Sequence, residues 1–172
     1  MIDWTAEIER MSRAKQLVAD ADTEGRYAPA AVRPPADPER LRAAAERFGG
    51  TLDSEYAEFL RHTDGWPGLL HSFGVFGTAE LLGPEYDEAV ETISYLEPDV
   101  FTDSGVEEES LVPVGMSPVA IDVFVMSADD GDPHPVIWFA GLEVERFPGF
   151  GAFFRYMIDA NLELAETLRR EG

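Results

Sequence analysis

The apolar positions of the first twenty residues recur at helical steps: Trp4, Ile8, Met11 and Val18, with Ala14 between them and Asp3 placed to cap the start. The spacing predicts a helix from Asp3 to about Ala19 whose stripe belongs to a core. From Asp20 to Asp37 that pattern lapses. Gly25, Pro29, Pro34 and Pro35 stand where large apolar groups would be needed, so an extended connector is expected. Asp37 then caps a second helix that carries Pro38 in its first turn, where a missing amide hydrogen costs nothing, and Gly49-Gly50 end it near Phe48. Leu41, Ala44, Ala45 and Phe48 make its inner face. A third helix, from Asp53 or Ser54 to about Thr63, turns Tyr56, Phe59 and Leu60 inward and stops at Asp64-Gly65.

Beyond this point the period shortens. Leu69 to Phe76, Leu111 to Met116, Ala120 to Met126, Val136 to Ala140 and Leu142 to Phe147 read as strands, and Pro84 to Leu96 reads as a helix ahead of most of them. Gly115 to Pro118 and the cluster Asp129-Asp130-Gly131-Asp132-Pro133 are natural reversals, so the later strands should form an antiparallel meander. A last helix runs from about Gly149 to Arg169, with Phe153, Phe154, Met157, Ile158 and Leu162 able to cover one sheet face. The expected fold class is α+β: one domain, with a mostly antiparallel sheet packed by N-terminal helices and a long C-terminal helix.

Composition agrees with a single folded unit. At 172 residues and 45% hydrophobic content the chain can bury a core of its own, and two domains would be cramped. Charge is more telling, because 13 Lys and Arg against 34 Asp and Glu leave a formal net charge of -21. Such a chain repels a nucleic-acid backbone and an anionic bilayer, and it attracts a basic protein surface. Neither nucleic acid nor membrane is therefore expected as a partner. With no cysteine there are no disulfides, thiolate metal ligands or cysteine nucleophiles. The opening residues mix both charge signs and carry no signal-peptide core, and no apolar run reaches the length of a membrane span, so a cytoplasmic protein is expected.

Candidate chemistries fall away one by one. Asp103-Ser104-Gly105 has the triplet of aspartic proteases, which need a second such loop so that two carboxylates share one proton. Here Glu107 to Glu109 follow, and an acidic turn is the simpler reading. His62, His71 and His134 are too scattered for a zinc site, and Asp129, Asp130 and Asp132 lack the ligand ladder of a calcium loop. No metal or cofactor is expected. No G-x-S-x-G elbow occurs, and the aromatic residues have no cationic rim with which to bind single strands. What the chain offers is acid beside aromatic anchors: Trp66 after the third helix, Tyr86 among Glu85, Asp87 and Glu88, the run Glu107-Glu108-Glu109, and the Asp129, Asp130 and Asp132 turn. Protein interfaces concentrate binding energy in a few buried aromatic groups, while surrounding charges select the partner and speed the encounter. Trp66 also suits a cap on the core.

The segment Leu52-Asp53-Ser54-Glu55-Tyr56-Ala57-Glu58-Phe59-Leu60, followed by Asp64-Gly65-Trp66, resembles the opening signature of the SUKH superfamily, roughly Leu-Pro-x-x-Tyr-x-x-Phe-Leu and then Asn-Gly. The resemblance continues through Leu111 to Gly115, a strand carrying Asp122, Val136 to Phe139, and Phe150-Gly151-Ala152-Phe153-Phe154, spanning about Leu41 to Ile158. Asp53 stands for the usual proline and Asp64 for asparagine, while Ala120-Ile121-Asp122 replaces a Gly-Asp. The resemblance implies an α+β domain with residues 1–37 as helix and connector, 38–158 as family-like core and 159–172 as the end of the last helix. It also implies binding and no catalysis. Many members are bacterial immunity proteins that neutralise secreted toxins, often nucleases; yeast members regulate cell-wall synthesis. Under that implication Trp66 or Tyr86 anchors a basic cognate toxin, the acids steer it, and Gly65, Gly115 and Asp122 shape the fold. A regulatory adaptor without a toxin is the alternative and a hydrolase using Asp103 the third. Oligomeric state is left open.

Overall fold

The computed structural model describes residues 1–27, 32–128 and 131–171. Helix α1 spans Trp4–Ala21, with the Asp3 carboxylate accepting the Ala6 amide at its start. Helix α2, Pro38–Arg47, is capped by Asp37, whose carboxylate accepts from the Glu39 and Arg40 amides. Helix α3 covers Ser54–Leu60. Strands β1 (Trp66–Leu70) and β2 (Phe73–Val75) follow, then helices α4 (Thr78–Leu82), α5 (Pro84–Ser94) and α6 (Pro98–Ser104). A single 3-10 turn at Glu108–Ser110 leads into strands β3 (Leu111–Met116), β4 (Val123–Ser127), β5 (Val136–Phe139) and β6 (Glu143–Phe147), and α7 (Phe150–Glu171) closes the chain. The six strands form one antiparallel sheet in chain order, as a meander.

Several boundaries differ from those the pattern predicts. The expected strand from Leu69 to Phe76 is a hairpin: Leu70 pairs with Phe73, and His71 takes a left-handed φ of 51° to reverse the chain. With no glycine, proline, asparagine or aspartate at the reversal, Ser72 alone marks it in the sequence, and weakly. The strand expected from Ala120 begins only at Val123, since Ser117, whose amide donates to the Asp122 carbonyl, closes the preceding loop. Helix α4 lies in a stretch for which the pattern predicts no element, α6 takes in Asp103 and Ser104 of the expected acidic turn, and each is too short to show a period.

Paired residues in an antiparallel sheet share a face, which assigns the layers. Phe124, opposite Trp138, and Phe147, opposite Val136, point to α7: the Phe153 ring lies 5.1 Å from Phe124 and 5.5 Å from Phe147. Val123 and its partner Phe139 point the other way, where Phe101 of α6 lies 6.5 Å from Phe139 and α5 packs on β3 and β4. With helices on both faces, β4 is buried at every residue. Outside α7 lies α1, whose Trp4 ring sits 5.4 Å from Phe59 and 5.6 Å from Phe154. Glu7 of α1 accepts from Arg155 of α7 at 2.7 Å and from Arg10 at 2.8 Å, fixing the two helices from outside.

The loop after α3 crosses the loop after β2 at close quarters. Gly65 has a φ of +81°, and a side chain there would collide with the backbone of Gly77, just as one at Gly77 would collide with Asp64. The Asp64 carboxylate accepts from the Thr78 amide at 2.6 Å and the Thr78 hydroxyl at 2.7 Å, and the Tyr56 hydroxyl donates to the Phe76 carbonyl at 2.6 Å. Burial and the nearby carboxylates of Glu80 and Asp64 push the Tyr56 hydroxyl well above its ordinary pKa, so it stays a donor. Tyr56→Phe should lower the unfolding free energy by about 1 kcal/mol, the net worth of one buried hydrogen bond. Gly65→Ala should remove about 2 kcal/mol or more, since a left-handed backbone strains alanine even without the collision. Urea denaturation checks both, and a smaller loss for Gly65→Ala than for Tyr56→Phe would mean the crossing is loose.

Candidate functional site

Between Arg61 and Arg146 the chain has no lysine or arginine, and it carries 18 of its 34 carboxylates there. This stretch builds β1 to β5, the start of β6 and the helix layer α4 to α6. Glu85, Asp87, Glu88 and Glu91 on α5, Glu97, Asp99 and Asp103 along α6, and Glu107, Glu108 and Glu109 after it are all exposed. Outside the stretch, 16 carboxylates meet 13 cations and nearly balance them. The surplus of -21 is therefore carried mainly by this interval, and 11 of its 18 carboxylates stand on or beside α4 to α6, the layer packed on the face of the sheet away from α7. Reading charge as a total misses this; the signal available in the sequence is the empty interval between two arginines.

The residues expected to meet a partner separate into groups. On α5, Tyr86 and Asp87 turn toward α2: the Tyr86 ring lies 5.0 Å from that of Phe48, the Arg47 guanidinium sits 4.6 Å over it, and Arg47 also pairs with Asp87 at 2.8 Å. Tyr86 is half-buried in these contacts. Glu85 and Glu88 lie on the opposite flank, at the rim of a cavity of about 230 Å³ under α4 and α5. Phe76 and Met116 lie at its base and Pro67 and Pro118 form walls, while Val75, paired with Trp66 and Gly115, turns its side chain to the α7 face and borders the cavity with backbone. Neither the Glu85 nor the Glu88 carboxylate has a hydrogen bond or ion pair to another described residue. Glu107, Glu108 and Glu109 border a second, more polar recess of about 470 Å³ above Phe101 and Val106. Strand β3 joins the two sites, and its six residues set them roughly 20 Å apart.

Two of the expected contact residues lie elsewhere. Trp66 is no surface anchor: as the first residue of β1 it is fully buried, with its ring 6.1 Å from Phe154. It fills the core beneath the hairpin and cannot touch a partner in the folded protein. Asp132 is exposed but its carboxylate accepts the Ser54 amide at 3.0 Å, which holds the β4–β5 loop against the start of α3. That bond, more than any other, keeps Asp132 below the ordinary carboxylate range. The neighbouring Asp53 accepts from the Tyr56 and His134 amides at 2.9 and 2.6 Å, yet burial outweighs them and raises its pKa. Asp129 and Asp130 lie outside the described residues.

The signature residues are mostly interior. Tyr56, Phe59, Leu60, Phe150 and Phe153 are buried in the aromatic cluster around Trp4, and Leu52 packs at its margin. Gly115 faces the Gly74 carbonyl so closely that no side chain fits, and Asp122 accepts the Trp138 indole N–H at 2.8 Å. Asp103 stands on α6, a helix ended by left-handed Gly105, instead of on the loop an aspartic protease requires. The three histidines lie apart: His62 Nδ1 approaches the Glu58 carbonyl, His71 stacks near Tyr27 and Phe73, and His134 Nδ1 meets the Gly131 carbonyl.

Residues 35–156 match the family model described as SMI1 / KNR4 family (SUKH-1). No curated protein matches the chain. Among the described residues no helix is long and apolar enough to cross a membrane.

One ion pair fixes the acidic layer in place. Arg33, from the connector, holds Glu80 of α4 with two hydrogen bonds, at 2.7 and 2.9 Å, and also donates to the Asp64 carbonyl. Burial pushes Glu80 upward, but the Arg33 hydrogen bonds, the Gly77 amide and the Arg33 charge together leave it below its ordinary value. A depressed folded-state pKa adds stability above the unfolded value, and that contribution is lost as pH falls through the folded one. Arg33→Ala should cost about 1–2 kcal/mol at pH 7 for a paired, partly buried guanidinium. Its deficit should shrink below about pH 4, where Glu80 protonates first in the unfolded chain and only at lower pH in the folded one. Denaturation at pH 7 and pH 3 measures this, and an equal deficit at both would assign the loss to packing.

Proposed function

The chain belongs to the SMI1/KNR4 family (SUKH-1), and from that premise we propose that it is an acidic immunity protein that neutralises a basic secreted toxin. Family membership suggests a role in protein–protein interaction. The observation that carries the finer reading is the cation-free interval from residue 62 to 145 and the exposed helix layer it forms. A toxin that cuts nucleic acid presents a basic groove to its substrate, and a dense row of carboxylates on a rigid scaffold can fill that groove as a competing polyanion.

The mechanism is steering followed by docking. At physiological ionic strength charges act over about 8 Å, so the exposed acids of α5, α6 and the Glu107–Glu109 turn reach a cationic partner before contact. Tyr95, the last residue of α5's final turn, is 75% exposed and its hydroxyl donates to Glu91 at 2.7 Å. With Val90, also exposed on α5, it supplies apolar area within the acidic field. An interface of ordinary size, about 1,600 Å², would cover this layer.

The test uses the product of the reading frame immediately upstream, which the immunity reading expects to encode a toxin domain. Co-expression should rescue growth, and the purified pair should form a complex; a toxin that neither binds nor is neutralised removes the immunity reading and leaves a regulatory adaptor. For the electrostatic part, the triple change Glu107→Lys, Glu108→Lys and Glu109→Lys should slow association about tenfold at low salt and flatten its salt dependence, with a smaller effect on dissociation. Stopped-flow association at several ionic strengths reads this, and unchanged rates would exclude this turn from the encounter surface.

A further inference from the structure

The cavity beneath α4 and α5 is built differently from the rest of the acidic layer. At about 230 Å³ it falls below the roughly 300–1,000 Å³ of pockets that enclose whole small molecules, and it has room for one long side chain. Its apolar lining comes from Phe76, Met116, Pro67 and Pro118, with Ser72 and Glu80 beside them, while Glu85 and Glu88 stand at the mouth with no hydrogen bond or ion pair to another described residue. They are one helical turn apart on α5, so both face the same opening. Arg33, whose charge also feels Glu85, is hydrogen-bonded to Glu80 and the Asp64 carbonyl and makes no ion pair with Glu85 or Glu88. Apolar depth with a pair of open carboxylates at the rim matches a group that is apolar along its stem and cationic at its tip.

Resting on the reading of this layer as a binding face for a basic protein, we propose that the cavity receives a single arginine side chain of that partner. The methylene stem lies on Met116 and Pro118, and the guanidinium, whose planar fork offers several donors at once, bridges Glu85 and Glu88. Lysine fills the same stem path but brings a compact ammonium that cannot span two carboxylates equally well. Glu80, held by Arg33, keeps the α4 side of the opening fixed.

Titration of the full-length protein with N-acetyl-arginine amide, followed by amide NMR shifts, tests the cavity without any toxin. Saturable shifts are expected at Val75, Gly74 and Met116, with at least tenfold weaker response to guanidinium, which lacks the stem, to N-acetyl-norleucine amide, which lacks the charge, and to N-acetyl-lysine amide. The exposed pair of changes Glu85→Gln and Glu88→Gln should weaken arginine amide at least tenfold while leaving the remaining spectrum in place. Absence of saturation, or shifts at Glu107 to Glu109 equal to those at Val75, would overturn the proposal. Lysine amide binding as tightly as arginine amide would overturn the assignment of the guanidinium. Saturation by arginine amide with no binding of the adjacent toxin would keep the cavity and remove the immunity reading. If instead the toxin binds Glu85→Gln/Glu88→Gln with unchanged affinity, the cavity takes no part in that complex and its assignment to the partner falls.

Discussion

The architecture turns on a point where two backbones touch with nothing between them. At the crossing of Asp64-Gly65 with Phe76-Gly77 neither glycine can carry a side chain, so the loop leaving α3 and the loop entering α4 approach as closely as peptide planes allow. Hydrogen bonds from Thr78 to Asp64 and from Tyr56 to Phe76 lock that approach. The consequence reaches both sides of the sheet. Helix α3 belongs to the layer with α7, while α4 opens the layer on the opposite face, and the crossing joins them around the β1–β2 edge. Arg33 continues the joint outward by holding Glu80 and the Asp64 carbonyl together. Since α5 starts one residue after α4 ends, the placement of Glu85 and Glu88 is inherited from this contact.

A helix layer so rich in carboxylates repels itself, and its stability has to come from what lies beneath. Its inner residues do this: Leu81, Ala89, Ile93 and Phe101 are buried against a sheet whose own residues are buried on both faces. The acids are at the outer positions of short helices, in water, where a pair interaction is weak and screened within a Debye length. Cations of the chain pin the margins of the layer and leave its centre open. Arg33 takes Glu80, Arg47 takes Asp87, and Arg146 reaches from β6 to Glu143 and the Ser104 carbonyl at the end of α6. A surface arranged in this way keeps its shape without neutralising its charge, which is what a charged binding face requires.

What could be read in advance followed from how strongly each segment states its own conformation. The caps at Asp3 and Asp37, the proline at the start of α2 and the long stripe of α7 are local signals, and local hydrogen bonds and packing obey them. The strands β3 to β6 likewise announce themselves through apolar runs broken by turn residues. The β1–β2 hairpin does not, because its reversal at His71-Ser72 has no glycine, proline, asparagine or aspartate, and the Tyr27 and Phe73 rings beside His71 are set by the tertiary fold. Trp66 was legible as an aromatic residue beside acid, but its depth depends on β1 lying against α7, a contact remote in sequence. Asp132 looked like a turn acid, and its partner, the Ser54 amide, is 78 positions away. The split of Glu85 to Glu88 into one pair facing the cavity and one facing Arg47 similarly needs the position of α2.

The residues by which the family is recognised and those available to a partner are therefore different sets. Tyr56, Phe59, Leu60, Gly65 and Gly115 are interior, where volume, hydrogen-bond geometry and backbone contact restrict what can stand, and a change of residue there is felt as strain or a void. Glu85, Glu88 and Glu107 to Glu109 are exposed on elements whose inner faces alone are committed to packing, so their outward chemistry can vary without disturbing the fold. A scaffold of this kind can keep one core and direct it at different partners by rewriting α5, α6 and the turn before β3. For the same reason the fold by itself names no partner, and any choice among partners falls to the exposed residues of these elements.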